Sequence, residues 1–406
     1  MFMFRRKRAQ LTQRLLKAAR LNAADEPSDA HLLQTHVLAQ LGDAQLQQLL
    51  RVVERVDART CCVPLPRARR QQHVDAASTY ACCCSAGESP PPPGATRTPS
   101  AAPTDPPPPH VLCCQTYRWP QLAPDAQLKR LPQCTCDDDH LDCCNPFHWS
   151  KVCGPESPPP PYRRYPDEKL RPEDRAPSEG SSSTNKLSTS TTSPNYSSIS
   201  NYSLGSVLRS PSLPTSGEGT EQTDEWCKLA YWEQQHRIGD LFSVRASSVH
   251  VFGGPAQPGI ASAALCLSDL VPKHPGVPTE PSEPIKRTRS KIGDGVLISQ
   301  EGDTVWAYNL SECPLFVNSP TLDEPHSRSL VVYKLPPGHC QRIFSWERAE
   351  QRRLFNSVIG GDRSMGPENS HSVRISFAKG WGPKYSRQEI TVCHCWLEVL
   401  LTRPAR

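Results

Sequence analysis

A chain of 406 residues is too long for one hydrophobic core and divides most naturally into two domains with connecting material. Its net charge of +5 is modest, so any surface that binds an anionic partner must be local. No uninterrupted run of 18 apolar residues occurs, and the N-terminus MFMFRRKRAQLTQRLL carries its charge before any long apolar region, so neither a membrane span nor a signal peptide is expected.

Residues 1–30 form a basic segment in which Met1 to Arg20 alternates basic and apolar residues at helical spacing. Such a helix can touch nucleic acid or an import receptor, although a solvated face is the commoner use. Further on, Asp43 is placed to cap a helix whose Leu46, Leu49, Leu50 and Val53 recur at i, i+3, i+4 and i+7. That stripe is core.

Eighteen cysteines are many, and several are adjacent: Cys61-Cys62, Cys113-Cys114 and Cys143-Cys144. Neighbouring thiols seldom bridge each other because the geometry is strained, so reduced thiols with a subset on metal are expected. Cys62, Cys134, Cys143 and His148 supply three thiolates and an imidazole, a set suited to tetrahedral zinc. The run from Cys143 to His148 contains a short turn that lets its two ends converge. Cys136 and Cys144 compete for places in the set. Between the first cysteines and the rest, Arg67 to His73 is cationic but lacks a glycine turn, and an insert rich in Ala, Ser and Pro covers about 77–110.

Residues 154–224 are rich in Pro, Ser and Thr with few apolar side chains, and are expected to be disordered. The 43 prolines are about twice the usual share of roughly 5%. Tetraproline runs start at Pro90, Pro106 and Pro158, and only the third leads into tyrosine, giving Pro159, Pro160, Pro161 and Tyr162. Proline preorganises a polyproline II helix, and a tyrosine after it suits the aromatic groove of a WW domain. Ser193 and Ser210 each precede proline, as proline-directed phosphorylation sites do.

From Trp226 short β-like runs appear, at Val249 to Phe252, Val296 to Ser299, Val305 to Tyr308 and Leu330 to Tyr333, which predicts an antiparallel sandwich. The Pro-rich stretch Val271 to Pro284 reads as a loop extension. Lys286 to Lys291 then places four cations in six residues. Val373, Ile375 and Phe377 alternate as a strand and lead into Lys379-Gly-Trp-Gly382, a loop carrying Lys379, Lys384, Arg387, Trp381 and Tyr385. A basic, aromatic loop between buried elements is built to meet negative charge. No Gly-rich phosphate loop, nucleophile elbow or HExxH motif occurs, and no enzymatic activity is expected.

The stretch AKGWGPKYSRQEIT…CHCWLE resembles the C-terminal loop and last helix of the second Mad homology (MH2) domain of Smad proteins. The blocks Trp226 to Glu233, Arg289 to Gly293, Val305 to Asn309 and Phe316 to Asp323 resemble that domain in the same order. Arg118-Trp-Pro120 and Cys143 to His148 are similar to the first (MH1) domain. Receptor-activated Smads end in Ser-Ser-x-Ser, whereas this sequence ends from Leu400 to Arg406 without serine, so the resemblance is to inhibitory Smads.

That resemblance implies a multidomain protein. Residues 31–153 form a small zinc-containing α+β domain of MH1 type, residues 154–224 a disordered linker, and residues 225–406 an MH2 β-sandwich (SMAD/FHA-like) with a helical bundle. It also implies a structural Cys3His zinc ion on Cys62, Cys134, Cys143 and His148, with no open position for catalysis. Arg287, Lys291, Lys379 and Arg387 match basic positions implicated in binding the activated type I TGF-beta/BMP receptor kinase. Pro159 to Tyr162 would recruit WW-domain HECT-type ubiquitin ligases, and other Smads are further partners, in cytoplasm and nucleus. The family reads DNA with a hairpin that is eroded here around Arg67 to His73, so weak nonspecific contact with DNA is expected. The alternative is a nuclear transcriptional corepressor acting through Smad partners and a DNA-binding zinc domain.

Overall fold

The computed structural model describes residues 2–19, 28–55, 61–66, 107–123, 126–136, 140–154, 225–254, 263–272, 280–322, 331–358 and 370–403. Arg67 to His73, most of the 77–110 insert, Pro159 to Tyr162, Ser193 and Ser210 lie outside the described residues.

Apolar side chains at helical spacing build the N-terminal domain. Helix α1 (Phe2–Ala18) is followed by α2 (Ser28–Leu33), which runs on as a π-helical turn, Gln34–Leu38, and by α3 (Asp43–Arg55). α3 buries Leu46, Leu49, Leu50 and Val52. Val53, expected in the stripe, is half-buried, because the core faces its neighbour one residue earlier. Asp43 is no cap. The Gly42 N–H donates to Gln45 Oε1 at 2.8 Å, and Asp43 instead lies 3.3 Å from the Arg8 guanidinium. Arg8 also donates to the carbonyls of Leu38, Leu41 and Ala39, closing the end of the π-helical turn. Leu11 and Leu15 of α1 complete this helical core.

Short strands and one helix follow: β1 (Pro64–Pro66), α4 (Pro109–Tyr117), β2 (Leu128–Arg130), β3 (Leu141–Cys143) and β4 (Trp149–Val152). The C-terminal domain adds β5 (Cys227–Glu233), β6 (His236–Val244), β7 (Ser248–Phe252), β8 (Ala263–Cys266) and α5 (Glu283–Ile292). Then come β9 (Val296–Glu301), β10 (Thr304–Asn309), β11 (Leu315–Asn318), β12 (Tyr333–Leu335), β13 (His339–Ser345), α6 (Trp346–Val358), β14 (Ser372–Phe377) and β15 (Trp396–Leu401).

Two sheets make the sandwich. One is ordered β12-β11-β14-β15-β5-β6, and its strands pair antiparallel. The other is ordered β2-β4-β13-β10-β9-β7-β8, with parallel pairs at β4–β13 and β7–β8. Val251, Ile298, Val305, Ile343, Val373, Ile375, Phe377, Leu397 and Val399 fill the space between them. The run at the C-terminal end, expected as a last helix, is strand β15. It is buried on both faces between β14 and β5, Glu398 included, so its burial does not show the strand period. Of the strand expected over Leu330 to Tyr333, Leu330 lies outside the described residues, and β12 begins at Tyr333.

The seven-stranded sheet crosses the domain division, since β2 and β4 belong to the N-terminal domain. Both domains fall within one compact unit.

Candidate functional site

Two clusters carry chemistry. In the first, β1 pairs with β3, with Pro64 opposite Cys143, which brings Cys62 beside the end of β3. Asn145 Oδ1 accepts from the Phe147 N–H at 2.9 Å and caps a single 3-10 turn, Pro146–His148, that folds the histidine back toward Cys143. His148 Nδ1 lies 3.5 Å from Cys143 Sγ and 3.4 Å from Cys62 Sγ, and Cys62 Sγ lies 3.6 Å from Cys134 Sγ. A tetrahedral ion with ordinary zinc bond lengths separates two sulfurs by about 3.8 Å, and sulfur from nitrogen by about 3.6 Å. The donor set fits a metal.

Of the two rivals, Cys136 lies at the cluster. Its sulfur and those of Cys62, Cys134 and Cys143 all lie within 4.8 Å of one another. His148 is not part of that mutual grouping; its Nδ1 meets the cluster at Cys62 and Cys143, so it and Cys136 are alternatives for the fourth position. Cys144, the other rival, packs in the helical core with Leu112 and Cys113, because alternation along the chain turns it away from Cys143.

The cluster is polarised. Hydrogen bonds from Cys134 and Cys143 hold the Cys62 thiol far below its ordinary value, outweighing burial. Burial opposes charge on His148, yet its hydrogen bonds to Cys134 and Cys62 carry it up to about 9. Burial pushes Cys136 up to about 12. Around them, the Thr135 N–H donates to Cys62 Sγ at 3.2 Å and Trp149 Nε1 donates to the Cys143 carbonyl at 2.8 Å. Nothing in the spacing pointed to these two supports.

The second cluster is cationic. α5 buries Ile285, Thr288 and Ile292, leaving Lys286, Arg287 and Lys291 exposed. Its fourth cation is structural, since Arg289 pairs with Glu233, which also accepts from the Tyr231 hydroxyl at 2.9 Å. Lys286 sits 3.6 Å from Glu283. Arg287, Lys291, Lys379 and Arg387 make no ion pair among the described residues.

The loop between β14 and β15 is fixed by its aromatics. Trp381 is only 2% exposed and packs with Phe316, Val332, Ile390, Cys393 and Trp396. A Cβ on Gly380 would lie 2.5 Å from Tyr385 Cε1, so only glycine lets that ring close over the chain. The Gly382 N–H donates to the Arg387 carbonyl at 2.7 Å, which closes the loop on itself. α5 meets this region through Thr288 Oγ1, 3.1 Å from His394 Nδ1.

Electrostatics report the same proximity. Burial, and then the fields of Arg387 and Lys379, depress His394 below its ordinary value of 6.5. The Lys291 field reaches Cys313, next to Pro314, whose carbonyl accepts the Ala378 N–H at 2.9 Å. The structure thus brings α5 and the loop to one end of the sandwich.

A pH effect follows. The unfolded state takes up a proton at His394 before the folded state does, so stability falls as pH drops through 6.5. Titration of the His394 ring by NMR is expected to give a value below 6.5, rising in the Lys379→Glu and Arg387→Glu variants. An unmoved titration would separate the loop cations from His394.

Comparison with known proteins accounts for both domains. The MH1 domain model matches residues 31–153 and the MH2 domain model residues 224–402. "Mothers against decapentaplegic homolog 6" of Gallus gallus is 43% identical over 305 residues, covering 72% of this chain and 63% of that protein. "Mothers against decapentaplegic homolog 7" of Mus musculus and of Homo sapiens are each 35% identical over 384 residues, covering 93% of this chain and 79% of theirs. This chain therefore spans under two thirds of the length of the chicken relative. With an MH1 domain bearing a cysteine-rich cluster, a sheet-rich MH2 domain and these relatives, the chain belongs to the Smad family, among the inhibitory Smads.

Proposed function

We propose that this protein antagonises TGF-beta/BMP signalling by occupying activated type I receptor kinases with the cationic end of its MH2 domain. Smads regulate signalling and transcription, and this reading gives the chain a blocking part in it. Arg287 and Lys291 on α5, with Lys379 and Arg387 on the loop, are the contact residues. The Thr288–His394 hydrogen bond carries the reading, because it ties the helix to the base of the loop. Two separately placed basic segments then act as one anion-binding face, and guanidinium and ammonium groups held together suit the phosphoserines of an activated kinase. Occupancy of the receptor would exclude receptor-regulated Smads.

Pro159, Pro160, Pro161 and Tyr162 would bring a WW-domain HECT-type ubiquitin ligase to the same receptor. Tyr162→Ala is expected to weaken binding of the full chain to an isolated WW domain by about 30-fold, the effect of losing an aromatic anchor worth about 2 kcal/mol. Calorimetry reads this directly, and unchanged affinity would remove the motif from the mechanism.

The metal is zinc on this reading, held by Cys62, Cys134, Cys143 and His148 with Cys136 as the spare donor. Bound there, it would supply stability, four protein ligands leaving no position for water. The protein would work in cytoplasm and nucleus, with other Smads as partners and weak, salt-sensitive contact with DNA. The receptor reading is tested by reversing Lys379 and Arg387 to glutamate and measuring binding to the phosphorylated kinase domain. Loss of binding by a folded variant supports it, and retained binding refutes it.

A further inference from the structure

The two domains are joined by a seam whose strands grow directly out of the metal cluster. β4 begins one residue after His148 and pairs parallel with β13, Lys151 opposite His339 and Val152 opposite Cys340. The Lys151 N–H donates to the Gly338 carbonyl at 3.1 Å, and the Cys153 N–H to the Cys340 carbonyl at 2.9 Å. β2 lies on the far side of β4 and leads through Leu131 to Cys134. The Leu131 N–H donates to the His148 carbonyl at 2.8 Å, and the Cys134 N–H to the Leu131 carbonyl at 3.0 Å. Each of the two seam strands is thus tethered at one end to a candidate ligand.

Side chains complete the seam. Leu131 and Val152 of the N-terminal domain pack with Leu297, Trp306, Tyr308, Leu310 and Cys340 of the C-terminal domain. Lys129 Nζ lies 2.7 Å from Glu301 Oε2 and 4.4 Å from the centre of the Trp306 ring. Arg118 donates to the carbonyls of Pro146 and Trp149, at 3.1 and 2.6 Å, and braces the turn that carries His148. Gly338 presses on the same side chain. A Cβ there would lie 2.9 Å from Arg118 Nη2 and 3.1 Å from Trp119 Cζ2.

We propose that metal binding and domain docking are coupled, so that loss of the ion releases the β2–β4 pair from the edge of β13. Strands of three and four residues are too short to hold register by their own hydrogen bonds. The ion would fix the ends of both, and the docked edge would in turn favour the metal-bound arrangement. The inference rests on the metal reading above.

Cys340 is the reporter. It is fully buried under Leu131 and Val152, while Cys227 and Cys395 are fully buried in the sandwich core, away from the seam. The full chain is loaded with Zn2+, its metal content measured, and its thiols alkylated before and after chelation, with each site read by mass spectrometry. Chelation is expected to raise labelling of Cys340 by roughly tenfold or more, with Cys227 and Cys395 unchanged. Lys129→Glu, which sets two carboxylates face to face, should speed Cys340 labelling with zinc retained. A stripped protein whose Cys340 stays protected while Cys62 reacts overturns the coupling and leaves the metal reading intact. Rapid Cys340 labelling in the loaded protein also overturns it. A chain that takes up no zinc overturns both.

Discussion

Replacing Trp381 by alanine is expected to destabilise the MH2 domain by about 3–5 kcal/mol, the usual cost of emptying a buried aromatic site. Trp381 fills the centre of a cluster formed by Phe316, Val332, Ile390, Cys393 and Trp396, with Tyr385 closing over its edge. Those neighbours come from β11, the approach to β12, the loop and β15, so they cannot collapse together without moving strands. The loop backbone on either side carries Lys379 and Arg387, and its geometry depends on the anchor. Chemical denaturation followed by amide exchange in β14 and β15 measures the stability change. Receptor binding should fall with it. Lys379→Glu, on a half-buried position at the loop's edge, should lose binding with little change in stability. An alanine variant of unchanged stability would mean that the loop is held by its turn hydrogen bonds alone.

Removing a metal ligand is expected to have the largest effect on the MH1 domain. A structural zinc ion contributes about 10–16 kcal/mol in small domains, comparable to the total stability of about 5–15 kcal/mol that such a fold possesses. Cys143→Ser and His148→Ala should therefore lose the metal and the ordered structure of the 61–66, 126–136 and 140–154 segments, seen as lost metal content and reduced amide protection. Cys144→Ser should keep the metal, because Cys144 lies in the helical core. Cys136→Ser divides the alternatives. Retained metal selects the set with His148, and lost metal places Cys136 among the ligands. Full protection in a Cys143→Ser protein without bound metal would contradict a structural role for the ion.

The sandwich was readable from β-branched runs broken by Gly, Pro and Asp, because strands such as β9 and β10 carry their pattern locally. β15 was expected as a helix on resemblance; it is a central strand in which Trp396 and Glu398 are buried as well as Leu397, Val399 and Leu401, so burial on both faces hides its alternation. Val53 lost its place to Val52 because two adjacent valines border the same helical face, and only tertiary packing chooses between them. Both Cys136 and Cys144 could be named from sequence as rivals to the proposed set, but only the packing separates them, placing Cys136 beside Cys62, Cys134 and Cys143 and Cys144 in the helical core. Arg289 looked equivalent to Arg287 and Lys291 in sequence. Its partner Glu233 lies 56 residues away, so its structural role appears only once β5 and α5 are packed together. The seam between β4 and β13 had no sequence signal, since its strands are three to seven residues long and come from different domains.

The most direct test is to titrate the full chain against a type I receptor kinase domain before and after phosphorylation. The comparison is repeated for the protein carrying both Lys379→Glu and Arg387→Glu, with folding verified. Binding that requires phosphorylation, weakens with added salt and disappears on charge reversal is the expected result. Equal binding to both kinase forms, or binding that survives the reversal, would contradict a cationic receptor-binding face.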